Sequence, residues 1–385
     1  MAQSMSFLLA LLFLSSSTMA MAALNIVDLG AKPDGRTDSA RPFLRAWAAA
    51  CRTNKPLTIY VPRGRFFLSQ VEFLGPCNNK AIKFLIHGTI IAPAGYSSSM
   101  NWIRFKYVDG LSIYRGTLDG RGQSLWACKM AGRSCPFGAT SLSFSRSKNV
   151  LISGLTSINS KFYHISIFGS SNVKIRGVKI TAPDASPNTD GIHLQMSSGI
   201  TVERSTIGTG DDCISMKTGT TNVRIHRVKC GPGHGISIGS LGDAANEAGV
   251  QNITVTSVVF TGTDNGLRIK TWAKNNRGFV KGVTFANAVM QNVRNPIIID
   301  QNYCPSGNNC PVQGSGVKIS GVSYTNVRGS SATPVAMRFD CSPSNPCSEI
   351  GLKDIKLRYR KKRAQAFCKN VRGTTAGFID PPSCF

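Results

Sequence analysis

The sequence predicts an all-β chain folded as a single-domain parallel β-helix. Beyond residue 100, short runs of β-branched residues alternate with a period of two and are separated by Gly, Asn and Ser. No long stretch in that region has the 3.6-residue period of an amphipathic helix. The runs align in two columns that recur every 20 to 40 residues. Irregular repeats of this length, each holding two or three short strands, are typical of a solenoid of stacked β-coils.

The first 22 residues are predicted to be a secretory signal peptide. Phe7 to Leu14 form an unbroken apolar run, and the following Ala20-Met21-Ala22 suits cleavage by signal peptidase. A buried helix is the alternative interpretation of the run. It is too short to cross a bilayer, and no later stretch reaches the roughly 18 apolar residues of a transmembrane helix. Because no Pro- or Ser-rich linker interrupts the rest, we expect residues 23–385 to form one β-helix domain without a membrane anchor.

The next element, Thr37 to Cys51, has the apolar spacing of a helix. A solenoid has an open end at which core side chains and strand edges are exposed to water unless something covers them. We therefore expect this short helix to cap the N-terminal end of the β-helix.

Two columns of strands predict the register of the coils. In the first column each strand follows an Asn or a Gly, namely Asn149, Asn172, Gly199, Asn222, Asn252 and Gly282. The strands of the second column begin at Ile165, Ile192, Ile214, Ile236, Leu267, Ile297 and Val335. A β-sandwich or barrel also contains many short strands, but has no reason to keep two columns in step over seven turns.

Twelve cysteines, an even number, fit an oxidising destination in which they pair. Zinc binding does not explain the cysteines, because there is no CxxC and the five histidines do not cluster at ligand spacing beside them. Spacing suggests six candidate pairs: Cys51 with Cys77, Cys128 with Cys135, Cys213 with Cys230, Cys304 with Cys310, Cys341 with Cys347, and Cys368 with Cys384.

The chain carries 45 Lys and Arg against 19 Asp and Glu, a formal net charge of +26. Hydrophobic residues make up 42% and charged residues 17%, which excludes a disordered, collagen-like or coiled-coil chain. The positive excess predicts a polyanionic partner, which could be nucleic acid, anionic lipid or acidic polysaccharide. The predicted secretion favours the polysaccharide over nucleic acid, even for the basic run Arg358 to Arg363.

Chemically active side chains recur at one register next to the second column. Residues at the same register in successive coils become neighbours about 4.8 Å apart. Counted in this way, carboxylates, an imidazole, two cations and a phenol fall on one face of consecutive coils: Asp190, Asp211, Asp212, His234, Arg268, Lys270, Asp300 and Tyr303.

A turn-forming preference explains one Asp before a strand, but not three carboxylates packed together, because their mutual repulsion raises at least one pKa. Clustered carboxylates with shifted pKa values indicate a functional site. Hydrolysis of a glycosidic bond uses two carboxyl groups that differ in protonation, one to protonate the leaving oxygen and one to activate water. Cations in the same cleft select a sugar that itself carries carboxylates. The residues therefore predict a secreted hydrolase of an acidic polysaccharide.

Four ordered segments of the chain carry a family resemblance. They are Asn188-Thr189-Asp190, Gly210-Asp211-Asp212, Gly233-His234-Gly235 and Arg268-Ile269-Lys270. In order and spacing these resemble the signature segments of the polygalacturonases, family 28 of the glycoside hydrolases, and the flanking sequence is similar to plant members from about residue 25 onward. The resemblance implies a right-handed parallel β-helix and inverting hydrolysis of α-1,4-linked galacturonic acid in pectin. It also implies a monomer in the plant cell wall that needs no metal or other cofactor.

The resemblance assigns the chemical steps to four residues. Asp211 corresponds to the general acid, and His234 lies beside it and helps keep it protonated. Asp190 and Asp212 position and deprotonate the attacking water. Inverting enzymes hold acid and base about 6.5–9.5 Å apart, so we expect that separation between Asp211 and its partners.

The resemblance also assigns the substrate contacts. Arg268 and Lys270 bind the substrate carboxylate at the cleavage site, and Tyr303 matches a tyrosine that contacts substrate. The loop from Asp243 to Asn246, before Glu247, departs from plant relatives, which usually carry basic or aromatic residues there. We expect this loop to border the cleft and to influence the preferred substrate length.

Two other functions fit parts of the pattern. A pectate lyase shares the solenoid and the substrate, but uses calcium and an arginine base. The acidic row accompanied by His234, Arg268 and Lys270 is not a hard oxygen cage for calcium. A wall-binding protein that holds pectin without cutting it has no need of three clustered carboxylates. Endo and exo cleavage both remain open, because the choice depends on whether loops close one end of the cleft.

Overall fold

A computed structural model describes residues 23–96, 98–360 and 362–385. The predicted signal peptide lies outside the described residues. Within them the chain forms 33 strands and two helices, and nearly all strand pairs are parallel. Each coil of the regular region contributes one strand to an 11-stranded sheet and two short strands, or one long strand, to a 22-stranded sheet. The predicted parallel β-helix is confirmed.

The 11-stranded sheet, here called the cleft sheet, supplies the site described below. Strands are numbered in chain order over the whole chain. The cleft sheet contains β5 Val71–Leu74, β8 Asn101–Lys106, β11 Thr140–Ser145, β14 Ile165–Phe168, β17 Ile192–Gln195, β20 Ile214–Met216, β23 Ile236–Leu241, β25 Asn265–Trp272, β27 Asn295–Tyr303, β29 Val335–Asp340 and β32 Gln365–Lys369.

The 22-stranded sheet, here called the back sheet, covers the rest of the solenoid. Its N-terminal strands are β1 Ala23–Asn25, β2 Asp34–Asp38, β3 Leu57–Val61, β4 Arg65–Phe67, β6 Ile82–Ile86, β7 Thr89–Ile91, β9 Asp109–Tyr114, β10 Thr117–Asp119, β12 Lys148–Ser153 and β13 Thr156–Ile158. The others are β15 Ser171–Arg176, β16 Lys179–Thr181, β18 Ser198–Glu203, β19 Thr206–Gly208, β21 Thr221–His226, β22 Lys229–Cys230, β24 Val250–Thr261, β26 Gly278–Val293, β28 Val317–Ser331, β30 Cys347–Tyr359, β31 Lys362–Arg363 and β33 Val371–Asp380.

The core consists of inward-facing apolar residues stacked at equal register. The first predicted column is confirmed, since Val150, Val173, Ile200, Val223, Ile253 and Val283 pair in sequence along the back sheet. The second column is confirmed from Ile165 to Ile297. Its last predicted member is wrong, because Ile297 pairs with Met337 and not with Val335. A shift of two residues keeps the same side chains inward, so alternation alone does not detect it.

The Asn or Gly before each first-column strand has a conformational cause. All six residues have positive φ, from 52° at Asn172 to 69° at Gly199. Gly and Asn are the residues that adopt this region at least cost. The Asn side chains also stack, with Asn172 donating to Asn149 and Asn252 donating to Asn222, both at 2.6 Å. The turn thus selects the residue types that made the repeat visible.

Helix α1, Ala40–Arg52, covers the N-terminal end of the core as predicted, and Ser39 precedes it as the N-cap residue. Its buried face includes Phe43 and Trp47. The Trp47 ring lies 5.3 Å from Phe73 and 5.5 Å from Phe105, centroid to centroid. The Trp47 indole also donates to the carbonyl of Leu74 at 3.0 Å. The cap is therefore held by both apolar packing and a hydrogen bond.

All six predicted cysteine pairs form disulfides. The disulfide between Cys128 and Cys135 joins helix α2, Gln123–Met130, to the segment that follows it. The sequence did not predict this helix. Its buried residues, Leu125, Trp126 and Cys128, do not form the spaced stripe that marks a longer helix. In the described part of the chain, no helix is long and apolar enough to cross a membrane.

Three successive coils of the back sheet carry an exposed group of cations, here called the basic face. Strands β15, β16, β18, β19, β21 and β22, with the turns between them, present one carboxylate, Glu203, and seven cations. The cations are Lys174, Arg176, Lys179, Arg204, Arg224, Arg227 and Lys229. Lys174 pairs with Glu203 at 3.1 Å, which leaves the basic face strongly positive.

Candidate active site

The candidate site lies where the coils enter the cleft sheet. Asp190 precedes β17, Asp211 and Asp212 precede β20, and His234 precedes β23. Because Ile192, Ile214 and Ile236 pair in register, these side chains come from three adjacent coils. The loops are also joined through their backbones, since Gly191 N donates to Asp212 O at 2.9 Å. The pairing of the coils therefore brings together the carboxylates and the imidazole, as the repeat in the sequence predicted.

The backbone beside His234 requires glycine. Gly233 has a φ of +136°, and a Cβ there would lie 2.6 Å from the carbonyl oxygen of Asp211. No larger residue fits such a close approach without moving the chain. The His234 amide donates to that same carbonyl at 2.8 Å. Gly233 thus allows the backbone before β23 to pack against the Asp211 loop, which places the His234 imidazole beside Asp211.

Asp212 is buried and bound by two cations. Arg268 Nη2 donates to Asp212 Oδ1 at 2.6 Å, and Lys270 Nζ donates to Oδ2 at 2.9 Å. Burial alone would raise the pKa of Asp212, but Lys270 and then Arg268 outweigh it and hold that pKa well below its usual range. Asp212 is therefore a permanent carboxylate.

Asp211 is paired with His234. Oδ1 of Asp211 lies 3.1 Å from His234 Nδ1 and accepts a hydrogen bond from the Asp212 amide at 2.7 Å. The bond to Asp211 raises the pKa of His234, against the effect of burial. Nε2 of the same ring lies 3.6 Å from Asp264. The Asp211–His234 pair therefore retains a proton at higher pH than a free imidazole does.

Asp190 is also buried but touches no cationic Arg or Lys within the described chain. Burial, followed by the charge of Asp211, raises the pKa of Asp190. Ser215 Oγ donates to Asp190 Oδ2 at 2.6 Å, and His193 Nδ1 lies 2.9 Å from the same hydroxyl. The His193 ring stacks on Tyr163, with centroids 4.0 Å apart. Asp190 is thus a carboxylate of raised basicity, oriented by a packed polar group.

A row of polar residues that supports the carboxylates was not predicted from the sequence. His193, Ser215 and Ser237 follow directly upon the reference residues of their coils and pair in register on the outward face. Ser237 Oγ donates to Asp212 Oδ1 at 2.7 Å and accepts from Arg268 Nε at 2.9 Å. The signal was present, because three polar residues recur at an outward position between buried Ile, Leu and Met residues.

The remaining predicted contacts lie beside this centre. Lys270 Nζ lies 5.1 Å from the centroid of the Tyr303 ring, and Trp272 packs against that ring at 5.4 Å. Asp300 pairs with Lys270 in register, and burial raises its pKa. Tyr303 is half-buried, so its ring forms a wall next to the two cations.

Asp211 and Asp212 lie closer together than expected of an acid and its base. Potential ligand atoms of Asp211, Asp212 and His234 all lie within 4.8 Å of one another. For Asp211 and Asp212 this is shorter than the distance of about 6.5–9.5 Å between an inverting acid and its base. The cluster also resembles a metal-ligand group, but both Asp212 oxygens already accept from cations, whose charges oppose a further cation.

The loop that departs from the family pattern borders a pocket at the far ends of the same strands. The pocket has a volume of about 590 Å³, and its lining includes Asp243, Glu247, Lys217 and Trp272. Glu247 Oε1 accepts from the amides of Asp243 and Ala244 at 2.9 and 3.0 Å and so fixes the loop. The loop therefore borders the cleft sheet, and its influence on the preferred substrate length stays a prediction.

Comparisons with known proteins show the family to which the chain belongs. Residues 51–378 match the family described as glycosyl hydrolases family 28. The chain is 54% identical to a polygalacturonase from Prunus persica, over 94% of this chain and 93% of that protein. It is 41% identical to an exopolygalacturonase from Platanus acerifolia, over 92% of this chain and 95% of that protein.

Solved structures show the same fold. An endo-xylogalacturonan hydrolase from Aspergillus tubingensis has a TM-score of 0.78 at 23% identity, with 92% of this chain and 98% of that chain covered. A polygalacturonase from Erwinia carotovora has a TM-score of 0.68 at 25% identity, with coverage of 92% and 96%. Since the family match spans most of the sequence and the plant relatives align over nearly their whole length, this chain belongs to family 28 of the glycosyl hydrolases.

Proposed function

We propose that the protein hydrolyses the α-1,4-galacturonosidic bonds of pectin with inversion at the anomeric carbon. The observation that carries the proposal is the Asp211–His234 pair beside a carboxylate that is held ionised. The hydrogen bond to Asp211 raises the pKa of His234, whereas Lys270 and Arg268 lower the pKa of Asp212. A proton donor next to an ionised carboxylate is the basis of acid–base hydrolysis of glycosides. Plant relatives named polygalacturonase support the choice of substrate.

Asp211 acts as the general acid. It transfers a proton to the glycosidic oxygen as the bond from that oxygen to C1 breaks, so the leaving sugar departs with a neutral hydroxyl group. His234, 3.1 Å from Asp211, holds a proton that can replace the one donated. The raised pKa of His234 keeps this proton available above the ordinary imidazole range.

Asp190 is the better candidate for the general base. It removes a proton from a water molecule whose oxygen attacks C1 on the face opposite the leaving group. Its raised pKa makes it a stronger base than Asp212, each of whose oxygens accepts a hydrogen bond from a cation. Asp212 remains ionised, orients the water and stabilises the positive charge that develops on the sugar ring.

Arg268 and Lys270 bind the substrate carboxylate from the side that faces away from Asp212. A guanidinium has five N–H donors and an ammonium three, so each retains donors after binding Asp212. The half-buried Tyr303 ring next to Lys270 offers a surface for the sugar. Methyl esterification at this position would remove the charge that the two cations recognise.

The proposed setting is the plant cell wall. Residues 1–22 would be removed on secretion, and residues 23–385 would act as one monomeric catalytic domain that needs no cofactor. Six disulfides fit an oxidising environment. The relatives include a protein named exopolygalacturonase, and one solved structure is named endopolygalacturonase, so both cleavage modes stay open.

The test is digestion of polygalacturonic acid by the purified protein. We expect new reducing ends without ultraviolet absorbance, and an initial product of inverted anomeric configuration by proton NMR. Unsaturated, ultraviolet-absorbing products would identify a lyase, and binding without new reducing ends would identify a wall-binding protein. Chromatography of early products separates mixed oligomers, expected of endo action, from monomer, expected of exo action.

A further inference from the structure

Lys217 is a cation of the cleft sheet that the proposed mechanism does not use. It follows β20, whose alternation places it on the outward face together with Ser215. Met216 pairs with Ile238, and Gly239 pairs with Lys270. Lys217, Gly239 and Lys270 therefore occupy one row over three coils, with about 10 Å between the backbones of the two lysines.

The Lys217 ammonium has no carboxylate partner within the described chain. It donates one hydrogen bond, to Ser240 Oγ at 3.2 Å. Glu247, a carboxylate of the neighbouring loop, instead accepts from two backbone amides of its own loop. Lys217 is half-buried, and burial followed by the charge of Lys270 lowers its pKa. A partly desolvated ammonium with unused donors is an incomplete anion site.

Space for a ligand lies next to this ammonium. The lining of the pocket of about 590 Å³ includes Lys217, Ser240 and Trp272, and also Glu247 and Asp243. The Asp243 carboxylate is paired with Lys274 at 2.6 Å. Gly239, between the two lysines of the row, has a φ of +108° and no side chain. Gly239 is buried and packs against the carbonyl of Lys270, so the row carries no side chain between the two cations.

We propose that Lys217 binds the carboxylate of a second uronate residue of the substrate, beside the one held by Arg268 and Lys270. The proposal rests on the proposed function, because it assumes that a polyuronate enters this cleft. Such a polymer carries one carboxylate on every sugar and meets two cations along one row of the sheet. The pocket would then favour stretches in which neighbouring sugars are both unesterified.

The test compares Lys217→Met with Lys217→Arg. Methionine keeps an unbranched apolar stem but removes the charge, whereas arginine keeps it. We expect Lys217→Met to raise KM for unesterified oligogalacturonate about tenfold, which corresponds to the loss of one charge-assisted hydrogen bond. The kcat should change less than about twofold, since this contact is equally present in the ground and transition states. Lys217→Arg should restore most of the affinity.

Lys55→Met is the matched control, because it removes the same charge from an exposed position beyond helix α1. It should leave KM unchanged. The preference of the wild type for unesterified over methyl-esterified oligomers should shrink in Lys217→Met only. An unchanged KM in Lys217→Met, an equal effect of Lys55→Met, or a joint loss of kcat and thermal stability would each overturn the proposal.

Failure of this inference is distinguishable from failure of the proposed function. Calorimetry with trigalacturonate on Asp211→Asn, with and without Lys217→Met, measures binding apart from turnover. If the wild type hydrolyses polygalacturonate and both variants bind the trimer equally, only the role of Lys217 is rejected. If the wild type neither hydrolyses polygalacturonate nor binds the trimer, the proposed function itself is rejected.

Discussion

At the scale of single residues, Asp211 is the position where the acid role can be tested most directly. Asp211→Asn keeps the size of the side chain but removes the transferable proton. We expect kcat to fall by at least about a thousandfold, while binding of trigalacturonate is kept, since general acid catalysis contributes roughly 10²–10⁴-fold. Initial rates and calorimetry check the two parts. Substantial residual turnover would reject the assignment of Asp211.

Ser215 tests the role of Asp190 through pH. Ser215→Ala removes a donor from the ionised form of Asp190, and loss of that hydrogen bond raises the carboxyl pKa. A base must be ionised, so activity is lost as pH falls through its pKa. We therefore expect the acidic limb of the kcat/KM profile to move to higher pH in Ser215→Ala. Ser166→Ala is the control and should leave the limb in place, because Ser166 has the same register in the adjacent coil on the other side of β17, whereas the hydrogen bond to Asp190 comes from Ser215.

The sequence predicted which residues meet but not how each is bound. Register fixes the backbone positions of Asp190, Asp212 and His234, and the repeat made that register readable. The pairing of Asp212 with Lys270 depends on a long side chain that reaches across two coils, a distance that no strand pattern contains. Short polar residues such as Ser215 were overlooked because a serine on an outward face normally needs no explanation.

At the scale of elements, the cap helix α1 should contribute substantially to stability. Trp47→Ala removes a ring that is 5% exposed and packs on Phe73 and Phe105. We expect a loss of about 3–5 kcal/mol, seen as a lower midpoint of thermal unfolding. Leu44→Ala on the same helix is the control, because Leu44 is 40% exposed and should change stability by less than about 0.5 kcal/mol. Equal midpoints for the two variants would contradict the capping role.

Elements were predictable where the repeat is regular and not where it is interrupted. Six strands of the back sheet share a turn that demands positive φ, and an Asn or a Gly marks each of these turns. Helix α2 interrupts a coil with only 8 residues and no apolar stripe, so its sequence gives no periodic signal. The two-residue error at Val335 has a related origin, because both registers satisfy the same alternation.

At the scale of the whole molecule, the net charge of +26 should act over a distance. Exposed charges attract a polyanion before contact, and salt screens this attraction over about 10 Å at 0.1 M. We expect kcat/KM on long polygalacturonate to fall as ionic strength rises, with a weaker dependence for short oligomers. If kcat/KM on long polygalacturonate did not change with ionic strength, the net charge would need another explanation.

The basic face should account for part of that salt dependence. Replacing Arg224, Arg227 and Lys229 together by Gln should lower kcat/KM on long polygalacturonate about three- to tenfold at low salt, since exposed ion pairs contribute about 0.2–1 kcal/mol each. The control replaces Arg41, Arg45 and Lys55 by Gln, which are exposed near helix α1. Equal effects of the two sets would show that only total charge matters.

The stacking of the site over adjacent coils also limits how the protein can change in length. Asp190, Asp212, His234 and Lys270 come from four consecutive coils, each directly paired with the next. Insertion of a whole coil between residues 190 and 270 would move the groups on either side of it apart by a strand spacing, and deletion of a coil there would remove a residue of the site. A coil added before Asp190 or after Tyr303 leaves their mutual distances intact. The solenoid can therefore gain coils at either end without loss of the site, whereas the number of its four central coils is fixed.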